Sequence, residues 1–173
     1  DPVRFLSNRS SGKMGYALAA ATVAAGYDTV LISGPTALET PAGVKRIDVT
    51  SAAEMAEATR AEFAETDLLL MTAAVADYSP GETLKQKRKK DEKPFDLKLE
   101  RTEDILASIS GNKKAGQTVL GFAAETENLE RSAREKMTAK KLDWIVANDV
   151  SRDDIGLGTD ENEVVLFGPG CEN

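Results

Sequence analysis

Short apolar blocks and amphipathic stretches alternate along this chain, so that two periodicities trade places from one end to the other. The opening segment, Asp1 to Gly12, carries neither period and reads as a loop. An Ala-rich run from Gly12 to Ala25 predicts a helix, with Gly26 as its C-terminal stop. Residues 28–33 predict a strand closed by the Gly34-Pro35 turn, and residues 44–49 a second strand. Ser51 and Glu54 have the spacing of a capping box, which starts a helix reaching about Glu65. The block 68–73 is apolar except for Thr72 and predicts a strand. A polar, basic loop over 74–93, with Pro80 and Gly81 in it, then interrupts the alternation. Beyond it Phe95, Leu97 and Leu99 alternate with polar residues, the period of a half-exposed strand. Thr102 predicts the cap of a helix over 103–110. A buried strand over 118–122, an amphipathic helix over 129–141 and strands over 144–147 and 163–167 complete the pattern.

Apolar strands separated by helices predict an α/β fold with a mostly parallel sheet covered on both faces, a three-layer arrangement. At 173 residues, one domain is expected. Sheets of this kind bind ligands beyond the C-terminal ends of their strands, so the residues leaving those ends are the ones to weigh.

Composition narrows the chemistry. The chain has no histidine, which excludes Ser-His-Asp and Cys-His mechanisms and histidine-ligated metals. Its one cysteine, Cys171, excludes a disulfide framework and a cysteine-rich zinc site, and fits a reducing, cytoplasmic compartment. No run of about 18 apolar residues is present to span a membrane. The net charge of −7 argues against a surface that attracts nucleic acid. The local exception is Lys85 to Lys90, where five of six residues are basic.

Six constellations lie at predicted strand or helix ends. Ser7 to Gly15 opens a helix, and free N–H groups there, with the Ser10 and Ser11 hydroxyls, suit a phosphate; a loop whose serines cap the helix is the plain alternative. Ala73-Ala74-Val75-Ala76-Asp77-Tyr78 leaves a strand, with small residues to admit a flat base and Asp77 to accept from an amine or ribose hydroxyl, or else to cap a turn. Lys85 to Lys90 is a solvated run or a cationic lid over a polyphosphate. Lys136 and Lys140 share a helical face and can reach one phosphate chain, or face solvent. Thr102 to Ile105 is a second helix start, for an anion or for capping alone. Phe122, in Gly121-Phe122-Ala123-Ala124-Glu125, lines a base pocket or packs in the core.

The order and wording of these segments resemble phosphopantothenate–cysteine ligases over nearly the whole chain. The segments are Asp1 to Gly15, Ala73 to Tyr78, Lys87-Arg88-Lys89-Lys90, Gly121 to Thr126 and Ala147-Asn148-Asp149-Val150. The K-x-K-K element resembles the bacterial, CTP-using form. The resemblance implies a Rossmann-like domain, a homodimer, magnesium with the nucleotide, and fusion to a flavin-dependent decarboxylase. It implies attack of the 4′-phosphopantothenate carboxylate on the α-phosphorus of CTP, then displacement of CMP by the cysteine amine. By this likeness Lys87 stabilises charge in cytidylate formation and Asn8 serves the second half-reaction. Met71, Thr72, Ala73, Asp77, Lys87, Thr102, Glu103, Asp104, Ile105, Phe122, Lys136 and Lys140 match nucleotide contacts. Arg4, Ser10, Ser11 and Gly12 match the phosphopantothenate site, with Arg4 reaching it from a partner subunit. Magnesium ligands and cysteine contacts are not indicated. Residues 78–100 are expected to form an active-site flap or dimer arm. The likeness also implies a first strand and a C-terminal helix outside residues 1–173. Glu103 stands where the family commonly has proline, and Lys85 adds a basic residue ahead of the lysine motif. Two other readings are a nicotinamide-dependent oxidoreductase, which lacks a G-x-G-x-x-G fingerprint and a Tyr-x-x-x-Lys pair here, and a non-catalytic polyanion-binding module.

Overall fold

The computed structural model describes residues 1–89, 95–125, 128–149 and 162–171. Its first half holds α1 (Lys13–Ala24), β1 (Val30–Ser33), β2 (Lys45–Asp48), α2 (Ala52–Phe63), β3 (Leu68–Met71) and β4 (Tyr78–Pro80). The second half holds β5 (Leu99–Arg101), α3 (Ile105–Ser110), β6 (Thr118–Glu125), α4 (Leu129–Ala139), β7 (Trp144–Asp149) and β8 (Val164–Phe167).

The four-stranded sheet runs β3-β6-β7-β8. β3 and β7 pair with β6 in parallel, and β8 closes the edge antiparallel to β7. β1 and β2 form a separate parallel pair. The fold is therefore mixed α/β with a mostly parallel, Rossmann-like sheet. Strands buried on both faces need apolar side chains on both sides, and Val119, Ala123, Ile145 and Ala147 are fully shielded. Helix α2 adds Met55, Ala56 and Phe63 to that core, and α3 adds Ile105, Leu106 and Ile109.

Helix ends follow the local chemistry. The Ser51 hydroxyl accepts from the Glu54 amide, while the Glu54 carboxylate reaches the Thr50 amide at 2.8 Å, one residue earlier than a capping box requires. Gly26 has φ of +89°. Its amide bonds Val23, and that of Tyr27 bonds Thr22, the paired bonds of a Schellman stop.

Three expectations need correction. The 74–93 loop contains a strand, β4, paired antiparallel with β5. Pro80 is tolerated because a two-stranded ribbon does not require every N–H. The strand expected from Phe95 starts only at Leu99, and Phe95 and Leu97 are exposed, so their alternation marks a face that the chain itself does not cover. Thr102 does not cap α3. Its N–H and hydroxyl donate to the carbonyls of Asp77 and Ala76, and Asp104 is the cap instead. Lys90, Thr126 and Val150, counted in the motifs above, lie outside the described residues.

Candidate functional site

The segment leaving β3 is where the site assembles. Helix α1 begins beside it, because Gly15 lacks a side chain: a Cβ there would lie 2.9 Å from the Thr72 hydroxyl. Gly12, with φ of +77°, turns the chain into α1 and offers it no side-chain cap. Ser10 and Ser11 point their hydroxyls at the Gly12 and Lys13 amides over 3.4 Å, so both stand at the helix entrance. Asn8 donates its side-chain amide to the carbonyls of Ala74 and Val75, at 3.3 and 3.2 Å. Helix start, Asn8 and strand end therefore form one surface, where an anion finds oriented N–H groups.

Thr102 ties the next part to the same segment. It anchors the residues before α3 to Ala76 and Asp77, leaving the Asp77 side chain exposed. Helix α4 delivers Lys136 and Lys140. Lys136 donates to the Phe122 carbonyl at 2.8 Å, and Lys140 pairs with Asp104 at 2.8 Å. Burial pushes the Lys136 ammonium below the usual lysine range, helped by the charge of Lys140 and opposed by Glu125, Asp104 and Asp77. Burial also pushes the Asp104 carboxyl up, but bonds from Lys140 and the Ala107 amide, with both lysine charges, hold it below its ordinary value. Two ammonium groups and three carboxylates thus act on one another at the ends of β6 and α4.

Lys87 is exposed, on the loop after β4. Its neighbour Arg88 stacks on Phe95 at 3.8 Å, accepts from Arg4 through its carbonyl and donates its amide to Asp1. The Asp1 carboxylate is almost wholly buried beneath the Arg4 guanidinium. Arg4 and the lysine loop are thereby joined.

Two of the expected site residues turn their side chains elsewhere. Ile105 spends its side chain on the core. Glu103 turns to Arg60 on α2 at 2.7 Å, and that bond lowers its pKa. Phe122 is half-buried and lies outside the core cluster. Met71 and Thr72 are half-buried and Ala73 exposed at the strand end. Sequence reasoning gives no role to Glu125 or Gly15, although both stand in segments it singles out. Glu125 ends the Gly121–Glu125 segment, and Gly15 is the glycine inside the first turn of an Ala-rich helix; both were visible as departures from their surroundings. Among the described residues no three His, Cys, Asp or Glu side chains form a metal cage. No helix among the described residues is long and apolar enough to cross a membrane.

Comparison with known proteins covers this whole arrangement. The family model for the DNA/pantothenate metabolism flavoprotein C-terminal domain matches residues 1–173. The coenzyme A biosynthesis bifunctional protein CoaBC of Bacillus subtilis is 49% identical over 168 residues, 96% of this chain and 41% of that protein. The chain thus spans less than half the length of this curated relative. The crystal structure of the C-terminal domain of a coenzyme A biosynthesis bifunctional protein CoaBC superposes with a TM-score of 0.76 at 40% identity. That match covers 96% of this chain and 78% of the other. The DNA/pantothenate metabolism flavoprotein from Streptococcus pneumoniae shares the fold, with a TM-score of 0.74 at 21% identity over 96% of this chain and 86% of that one.

Proposed function

Because the chain belongs to the family of DNA/pantothenate metabolism flavoprotein C-terminal domains, we propose that it is the ligase part of a coenzyme A biosynthesis protein. It joins cysteine to 4′-phosphopantothenate at the expense of CTP, in the cytoplasm, within a longer polypeptide that also carries a flavin-dependent decarboxylase. One observation carries this reading. Asn8 bonds the segment that leaves β3, and Lys136, held on the Phe122 carbonyl, feels the charge of Asp77 on that same segment.

In the first half-reaction the phosphopantothenate carboxylate attacks the α-phosphorus of CTP. An acyl–oxygen–phosphorus bond forms and pyrophosphate leaves. Lys87, on its exposed loop, closes over the phosphates and offsets the charge that develops, a role suited to an ammonium on a flexible stem. Lys136 and Lys140 hold the nucleotide phosphates, and Asp77 with the Met71–Ala73 strand end faces the base and ribose. Thr102 to Ile105 add backbone contacts, and Phe122 lines the base. Magnesium, carried in with the nucleotide, supplies further charge neutralisation.

In the second half-reaction the cysteine amine attacks the acyl carbonyl, CMP leaves with the bonding electron pair, and the amine loses a proton to solvent. The Asn8 amide donates to the carbonyl oxygen as negative charge grows on it. Two substrates held in register account for most of such a rate gain, with no strong nucleophile from the protein. The entrance formed by Ser10, Ser11 and Gly12 takes the phosphopantothenate phosphate. Arg4 joins it across a homodimer whose arm is residues 78–100.

The deciding experiment measures pyrophosphate release with CTP against ATP, each with and without phosphopantothenate. Release that requires phosphopantothenate and prefers CTP supports the proposal. Release without phosphopantothenate, or none, overturns it. Lys87→Gln should abolish that release. Asn8→Asp should allow one turnover and accumulate the acyl-cytidylate, detectable by mass spectrometry. Loss of both steps in Asn8→Asp sinks the division of roles.

A further inference from the structure

Asp104 is committed at both oxygens. Oδ1 accepts from the Ala107 amide at 3.0 Å and caps α3, while Oδ2 takes the Lys140 ammonium at 2.8 Å. The cap fixes the plane of the carboxylate, so the direction of Lys140 is fixed with it. The far end of the same six-residue helix grips the same residue, because the Ser110 hydroxyl donates to the Lys140 carbonyl. α3 thus clamps Lys140 by side chain and backbone together. Lys136, one turn earlier, is already spent on the Phe122 carbonyl.

Around these two ammonium groups stand three carboxylates, Asp77, Asp104 and Glu125. Their balance is acidic, although the ligand is a polyanion. A nucleotide phosphate that takes Lys140 must compete with a carboxylate already in contact.

From this geometry we infer that Asp104 is a positioning residue acting through Lys140: it holds the ammonium in place while the site is empty and competes for it with the nucleotide phosphates, so that it limits how tightly nucleotide is retained. The inference rests on the nucleotide reading of this site. It explains why a carboxylate is set against a phosphate-binding lysine at all. A site that turns over must release pyrophosphate and CMP as well as bind CTP, and a built-in counter-ion weakens both retained products.

The test uses Asp104→Asn, which keeps an oxygen for the Ala107 cap and removes the charge. Removing one unit charge at this range should tighten binding of CTP with magnesium by about threefold to tenfold, measured by calorimetric titration. The KM for CTP should fall in step, without a rise in kcat. Asp104→Glu, which keeps the charge, should show less of this gain than Asp104→Asn. Weaker or unchanged binding in a folded Asp104→Asn overturns the inference, since Asp104 would then be a direct nucleotide contact or a cap alone. A second readout needs no nucleotide. Reductive methylation of Lys140, followed by mass spectrometry, should run severalfold faster in Asp104→Asn. If wild-type protein fails to bind CTP while Lys140 still reacts faster, the nucleotide reading fails and the restraint on Lys140 stands. An unchanged labelling rate removes the restraint itself.

Discussion

Lys136 is the residue where stability and binding pull apart. Its ammonium is half-buried and its pKa is lowered chiefly by that burial. The charged form is therefore less at ease in the folded chain than in the unfolded one. This burden is present at neutral pH and eases as pH rises through the folded pKa towards the ordinary lysine value of about 10.4. Replacing it with an uncharged chain of similar length, Lys136→Met, should stabilise the fold modestly at pH 7, because partial exposure screens the effect. The same change should weaken CTP binding at least tenfold, the cost of a charge-assisted phosphate contact. Thermal denaturation and calorimetric titration on one sample check both halves, and a loss of stability would show the lysine to be structural. Gly121 has the opposite character. A Cβ there would meet Leu142 at 2.8 Å and Leu106 at 2.9 Å, so Gly121→Val should cost about 1–3 kcal/mol by overpacking, read from urea unfolding. The chemistry of Lys136 was legible as one of a pair of lysines four apart. The need for glycine at 121 was not, because it comes from side chains that only the fold brings to it.

Elements were legible where neighbouring residues decide them. The α1 stop at Gly26 and the Ser51 cap follow from local geometry, and both stand where the pattern put them. The end of α4 does not announce itself, since no glycine follows the helix. Lys141 takes the left-handed position at φ of +53°. The bonds Lys141 to Thr138 and Leu142 to Met137 nonetheless make the paired Schellman stop. This stop ends the helix two residues before the periodicity does, and leaves Lys140 at the turn where α3 can grip it. A left-handed backbone strains a residue with a Cβ, so Lys141→Gly should stabilise by about 0.5–1 kcal/mol after the entropy of glycine is counted. Chemical denaturation checks it, and destabilisation would mean that the lysine side chain holds the turn. At the opposite end of the sheet, Asp143 accepts from Lys113 and from the Val119 amide. Burial raises its pKa, but these bonds outweigh that and lower it. Its contribution is thus full above the unfolded value of about 3.9 and is lost as pH falls through the folded one. Asp143→Asn should lower stability at pH 7, with a difference from wild type that shrinks steadily below about pH 4. A difference that is constant with pH would assign the effect to packing.

Over the whole molecule, the alternation of periods was sufficient for the α/β class and its mostly parallel sheet, because buried parallel strands need continuous apolar blocks. What alternation cannot express is a surface whose cover comes from elsewhere. Phe95, Leu97 and Leu99 have the period of a strand with one buried face, yet all three are exposed, as are Tyr78 and Phe5, the last at 91%. Arg4 bonds the Arg88 carbonyl, which fastens the segment bearing Phe5 to the loop that leaves β4. Apolar side chains are thus presented on two connected segments, beyond what a monomer usually leaves open. The homodimer proposed above is the cover that would bury this face. A stable interface of this kind buries about 1,600 Å² in total, and two or three apolar anchors from each copy carry most of its energy. Sedimentation velocity at micromolar concentration should therefore give a dimer. The pair Leu97→Asp and Leu99→Asp should give a folded monomer, because both residues lie outside the core cluster. If Arg4 acts across the interface, that monomer should keep CTP binding and lose pyrophosphate release with phosphopantothenate. A monomer that retains full turnover would confine the whole site to one chain, and a variant that remains dimeric would move the interface away from the arm.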